Sequence, residues 1–165
     1  MPFVILVILL YLLTSFTPVG AEIMAKIFIK YPNKNSPFED SIMSNSKQFG
    51  VDDNLIRAII QNESSWNKDA SRDDQYHGTV ITSYGLMQVT PSVLSDAGIS
   101  IMRAFDPFYN IQAGTRLLSG LLKRHPIDQA IQMYNLGERA YSSLGRRNQV
   151  YLNRVMGYLI AYQNA

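Results

Sequence analysis

Apolar residues recur at helical spacing along most of the second half of this chain and in one short stretch before it. In that stretch Leu55, Ile56, Ile59 and Ile60 follow Asp52 and Asp53, either of which can cap a helix running on to Ser65. A helix over about 38–49, closed by Gly50, leads into it. Asp106-Pro107 opens a longer helix to about Arg124, with Ile111, Gly114, Leu117, Leu118, Leu121 and Leu122 on one face. Gly114 in that face predicts a close helix crossing. Pro126 starts another helix, with Ile127, Ala130, Ile131 and Tyr134 inward and Gly137 as its end. The last, about 148–163, offers Tyr151, Val155, Leu159 and Tyr162 to the core. Thr90 as cap and Pro91 at the first position predict a short helix between these groups. Residues 66–89 lack the period. There residues 72–82 form a polar loop in which Gly78 and Val80-Ile81 suggest a short ribbon. The expected fold class is all-α, with a short β-ribbon after the second helix.

The N-terminal pattern is different in kind. Residues 3–13 are almost wholly apolar, and 14–21 turn small and polar, ending Val19-Gly20-Ala21. This is the layout of a signal peptide, residues 1–21, cleaved after Ala21. No Lys or Arg precedes the apolar run, so an uncleaved anchor is the competing reading, against which stands a run shorter than the ~20 residues of a spanning helix. Both readings predict export, to the periplasm. Residues 22–40 read as an N-terminal extension: Ile27, Ile29 and Tyr31 alternate like a short strand, and a turn-rich linker runs from Pro32 to Pro37. The domain proper is expected over 41–165, a one-domain portion of a 165-residue chain.

Composition narrows the chemistry. With no cysteine, thiol nucleophiles and Cys-ligated zinc are excluded, and the core must hold without disulfides. The two histidines, His77 and His125, have no metal-ligand spacing. Asn62-Glu63-Ser64 is a glycosylation pattern only by chance, since it falls inside a predicted helix. The net charge is +2, but residues 101–165 carry 8 basic and 3 acidic side chains against 7 and 10 in 22–100. Such a surplus suits proximity to an anionic cell wall and equally an ordinary solvated face. No Lys/Arg stripe interleaves with aromatics, so nucleic acid is not an expected partner.

Glu63 stands out because it continues the apolar face of its helix past Ile59 and Ile60. Desolvation there would raise its pKa, as a general acid near neutral pH requires. A solvated glutamate at a helix end is the plainer alternative.

Four motifs in order change that balance: Glu63-Ser64; Gly85-Leu86-Met87-Gln88 with Pro91; Asp106-Pro107 with Asn110-Ile111-Gln112-Ala113-Gly114; and Tyr134-Asn135 with Gly137. Together they resemble the soluble-type lytic transglycosylases, similar in fold to goose-type lysozyme, over roughly 41–162. The resemblance implies that Glu63 is the catalytic acid, protonating the link between N-acetylmuramic acid and N-acetylglucosamine in peptidoglycan glycan strands. It then serves as base towards the muramoyl 6-hydroxyl, giving a 1,6-anhydro product with no metal or cofactor. The same resemblance places Ser71 at the cleft floor, Met87 and Gln88 against sugar, and Tyr134 and Asn135 beside the acid. Tyr151 matches a late Tyr that hydrogen-bonds the catalytic carboxyl; plain helix packing also fits Tyr134 and Tyr151. Gly85 would let the backbone of 84–89 approach bound sugar. Two departures stand. Leu136 occupies a place where the family commonly has Ala, and Gln88 follows Glu63 by 25 positions, several more than usual. The extra residues must bulge from the cleft wall, where Asp73, Asp74, Tyr76 and His77 either touch substrate or form a solvated tip. Small exported members open the wall for secretion, conjugation or pilus machines, whose components are then partners; others are phage-encoded. A goose-lysozyme-like hydrolase with Asp73 or Asp74 positioning water, and a non-catalytic wall-binding component, remain as alternatives.

Overall fold

The computed structural model of the protein describes residues 29–165 apart from 33 and 77. The leader, Ile27 and His77 therefore lie outside the described residues. Ile29 and Tyr31 form no strand; both pack irregularly against the core.

Helix α1 (Glu39–Phe49) begins with Glu39 and Asp40 in its first turn and ends at Gly50, whose φ of 66° closes it with a bond to the Ser46 carbonyl. Helix α2 (Asp53–Ser64) starts where the Asp52 carboxylate accepts from the Asn54 N–H at 2.7 Å. Its Leu55, Ile56, Ile59 and Ile60 are at most 2% exposed, each such burial contributing about 1.5–3 kcal/mol. Buried Arg57 bridges Asp53 on α2 and Glu39 on α1, with the Glu39 contact at 2.5 Å. A buried guanidinium needs such partners.

Strands β1 (Ser71–Tyr76) and β2 (Thr79–Tyr84) pair antiparallel, with Arg72 opposite Ser83 and Asp74 opposite Ile81. The ribbon is longer than expected from Val80-Ile81. Helix α3 (Pro91–Asp96) follows Thr90, whose hydroxyl pairs with Ser92 and makes no cap bond, contrary to expectation. A short 3₁₀ turn (Ile101–Arg103) has no counterpart in the sequence pattern.

Helix α4 (Pro107–Leu122) is capped by the Asp106 carboxylate at Phe108 and Tyr109. Helix α5 (Ile127–Leu136) buries Ala130 and Ile131, but Ile127 at its first turn is 41% exposed and lies off the inner face. Helix α6 (Glu138–Ser142), too short to show a period, follows at once. Helix α7 (Gln149–Gln163), capped by Asn148, packs along α2 through Tyr151, Val155, Leu159 and Tyr162. Among the described residues the fold is mainly helical with one two-stranded ribbon.

Candidate active site

Glu63 lies in the last turn of α2, and the chain cannot continue that helix. Ser65 and Trp66 both have positive φ, 49° and 69°, which is costly for residues with a Cβ. Packing holds them there. Trp66 is 3% exposed, its indole N–H donates to Gln61 Oε1 at 2.8 Å and to the Tyr162 hydroxyl at 3.2 Å, and Tyr31 meets it edge-on. The helix therefore stops just past Glu63 for a tertiary reason.

The residue stays partly accessible while its carboxyl is drawn into the protein. Burial pushes its pKa up; the hydrogen bond from Tyr151 and the charge of Arg72 oppose this, and Asp74 adds to it. The Tyr151 hydroxyl donates to Glu63 Oε1 at 2.5 Å. Burial and the neighbouring carboxylate hold the Tyr151 phenol well above its ordinary range, so it remains a donor. Tyr134 is also raised by burial and by the charge of Glu63, and its hydroxyl donates to the Met87 carbonyl at 2.8 Å.

The turn that supplies that carbonyl is built around Asn110, which is fully buried on α4. Its amide oxygen accepts from Met87 N–H at 2.8 Å, and its NH₂ donates to the carbonyls of Tyr84 at 2.8 Å and Ala104 at 2.7 Å. Gly85, at φ 73°, passes against this amide: a Cβ there would stand 2.7 Å from Asn110 Cγ and 2.9 Å from the Ala104 oxygen. The absence of a Cβ at Gly85 is thus required by Asn110. Gly114 works similarly. A Cβ on it would meet Met87 Sδ at 2.7 Å and the hydroxyl of Tyr134 on the neighbouring helix α5 at 2.8 Å, so it admits two side chains from outside its own helix.

The other expected residues fall in distinct places. Met87 is fully buried, with Thr115 beside its sulfur, which takes its side chain away from the sugar contact expected of it. Gln88, at φ 49°, lines the groove, but its amide is engaged within the protein. It donates to the Ala70 and Gly85 carbonyls at 3.1 and 2.9 Å and accepts from the Ser83 hydroxyl at 3.2 Å. Ser71 is exposed at the start of β1, outside the groove lining. Asn135 lines the groove; its amide oxygen accepts from Asn148 at 2.9 Å, and its NH₂ has no partner among the described residues.

Glu63, Gln88, Tyr134 and Asn135 border a groove of about 460 Å³ reaching from Glu63 to the start of α6. Arg72, Asp74, Ile81 and Ser83 share one face of the ribbon and line it, whereas Asp73 lies on the other face, bonded to Thr82 at 2.7 Å. The extra residues after α2 therefore form a wall of the groove. Asn110 and Trp66 are the functional supports that sequence reasoning did not single out; the Asn110–Gly114 motif contained the first, but nothing local tells which turn it pins.

The family model described as "Transglycosylase SLT domain" matches residues 40–156. A curated protein of Enterobacteria phage PRD1 described as "Transglycosylase" is 28% identical over 118 residues, covering 71% of this chain and 41% of the relative. The match thus spans less than half of that relative's length. Among solved structures, "Bd0314 DslA wild-type form 2" overlays with a TM-score of 0.37 and 21% identity, covering 55% of this chain and 52% of that one. On the family match, which takes in Glu63, the Tyr84–Val89 turn, Asn110 and Tyr151, this chain belongs to the transglycosylase SLT domain family.

Proposed function

We propose that the protein is a lytic transglycosylase that cuts peptidoglycan glycan strands between N-acetylmuramic acid and N-acetylglucosamine. The observation that carries this reading is Glu63: a carboxyl with raised pKa, at the edge of a groove, held by a tyrosine that stays protonated. In its neutral form Glu63 gives a proton to the glycosidic oxygen, the N-acetylglucosamine side leaves as an alcohol, and the muramoyl C1 becomes oxocarbenium-like. The muramoyl 6-hydroxyl then attacks C1 and returns its proton to the Glu63 carboxylate, closing a 1,6-anhydro ring without taking up water. Tyr151 serves both halves, because its donor bond orients the carboxyl and stabilises the anion formed in between. Mass analysis of products from purified sacculi tests the scheme: anhydromuropeptides are expected, each one water lighter than a hydrolytic product.

Asp74 favours a second, hydrolytic reading, since it faces the groove as a water-positioning carboxylate would. Its engagement by Arg72 Nε at 3.0 Å weighs against it. Under the transglycosylase scheme Asp74→Asn changes turnover by less than about tenfold, roughly 1.4 kcal/mol of barrier. A loss as large as that of removing Glu63 supports hydrolysis.

The layout of residues 1–21 supports export to the periplasm, with Glu22 as the first mature residue. Amino-terminal sequencing of exported protein checks this, and recovery of Met1 or Pro2 favours the anchor. Export and strand cutting together support local opening of the wall for a secretion, conjugation or pilus apparatus. Assembly of that apparatus should then fail when Glu63→Gln replaces the parent.

A further inference from the structure

The charges that line the groove are unevenly compensated. Of its acidic residues, Glu138 is taken by Arg124 at 2.8 Å and His125 at 2.9 Å, Asp74 by Arg72, and Glu63 by the Tyr151 hydroxyl. Its two cations are Arg72 on β1 and Arg139 on α6. Arg139 is exposed and has no acidic partner among the described residues. Arg72 is 52% exposed and uses only Nε on Asp74, which leaves both terminal nitrogens without a partner among the described residues. A groove for a neutral polysaccharide alone has no need of free guanidinium forks, whose planar donor pairs match carboxylates.

Resting on the function proposed above, we infer that Arg139, with Arg72 lining the same groove, is a specificity-determining residue that recognises a free carboxylate on the peptide stem of the glycan strand. The stem branches from the muramoyl lactyl group, so its acidic groups hang beside the bond that Glu63 cuts. Neither arginine is assigned a part in proton transfer. Beyond the pull of the Arg72 charge on Glu63, their contribution is to binding, and because both are exposed it is screened by salt.

The test compares initial rates on stem-bearing glycan strands with rates on the same strands stripped of stems by an amidase. The parent is expected to favour stem-bearing strands. In Arg139→Gln that preference should fall by about three- to tenfold, the range of one exposed charge-assisted contact, and the loss should show in KM more than in kcat. Arg139→Lys should restore part of it, and added salt should erode it in the parent. An unchanged preference in both Arg139→Gln and Arg72→Gln, or no preference in the parent, overturns the inference while leaving Glu63-dependent cleavage intact. Failure of the parent to cut either preparation removes the proposed function, and this inference with it.

Discussion

Tyr151 and Glu63 lie 88 positions apart in the chain and meet through a hydrogen bond of 2.5 Å. The acid is therefore complete only when α7 has docked on α2, so the same packing that forms the core also assembles the site. Tyr151 is 6% exposed, and a hydroxyl buried to that extent needs a partner, which here is the reacting carboxyl.

Replacing Glu63 by Gln keeps size and removes the transferable proton, so turnover should fall by at least about a hundredfold. Stability should move the other way. The folded pKa of Glu63 is raised, so the folded state holds its proton more tightly, and the parent loses stability as pH rises from the ordinary glutamate range through that raised value. The variant lacks this loss. Denaturant unfolding at pH 5 and pH 8 should show the Gln protein gaining on the parent at the higher pH; a constant difference would contradict burial as the cause of the shift.

Tyr151→Phe removes a bond that favours the ionised carboxylate, so the Glu63 pKa should rise further. The alkaline limb of kcat/KM, where the acid is lost, should move to higher pH. Turnover at the optimum should drop by about tenfold, roughly 1.4 kcal/mol, through poorer orientation. A pH–rate profile measures both, and a limb that stays in place or moves down contradicts the role given to this hydroxyl.

Gly114→Ala would place a methyl against Met87 and the Tyr134 hydroxyl. Overpacking of this kind costs about 1–3 kcal/mol, and the strain falls on the bond between Tyr134 and the Met87 carbonyl. Reduced stability by thermal unfolding, together with reduced turnover, is expected. Gly120→Ala on the same helix serves as the control, because its nearest contact would be an Arg124 terminal nitrogen at 3.6 Å.

Asp53→Asn withdraws one of two carboxylates from buried Arg57 and should destabilise the protein by about 1–3 kcal/mol. Burial pushes Asp53 up, but its bond to Arg57 and the attraction of that charge outweigh burial and hold it below its ordinary value. Its contribution is then present above the unfolded aspartate range and lost as pH falls through the lowered value. The difference between parent and variant should accordingly shrink on acidification, which equilibrium unfolding at pH 7 and pH 3 can follow.

What could be read in advance was what the chain decides locally. Caps at Asp52 and Asp106, the Gly50 ending and the inner faces of α2, α4 and α7 are written in neighbouring residues, and the structure follows them. Glu63 could be placed on its apolar face by spacing alone. Other features depend on partners remote in the chain. Arg57 looks like a surface residue until α1 brings Glu39 to it. The amide of Gln88 could have faced the groove, but Ala70, Ser83 and Gly85 engage it. Asn110 pins three backbone groups of segments that precede it, and no periodicity encodes that. Elements as short as helix α6 and the 3₁₀ turn leave no pattern in the sequence.

Gln61 Oε1 accepts from both the Trp66 indole and the Lys30 backbone N–H, the latter at 3.2 Å. Tyr31 and Phe38 close on the same indole. Mechanically, this makes the end of α2 the mooring point of the segment at Ile29–Tyr31. A pull on that segment, whether from a tether or a fused partner, would be borne first by the Gln61–Trp66 pair, next to Glu63. The N-terminal approach of the described chain and the end of the helix that carries Glu63 therefore share one anchor, with Gln61 two positions before the acid and Trp66 three after it.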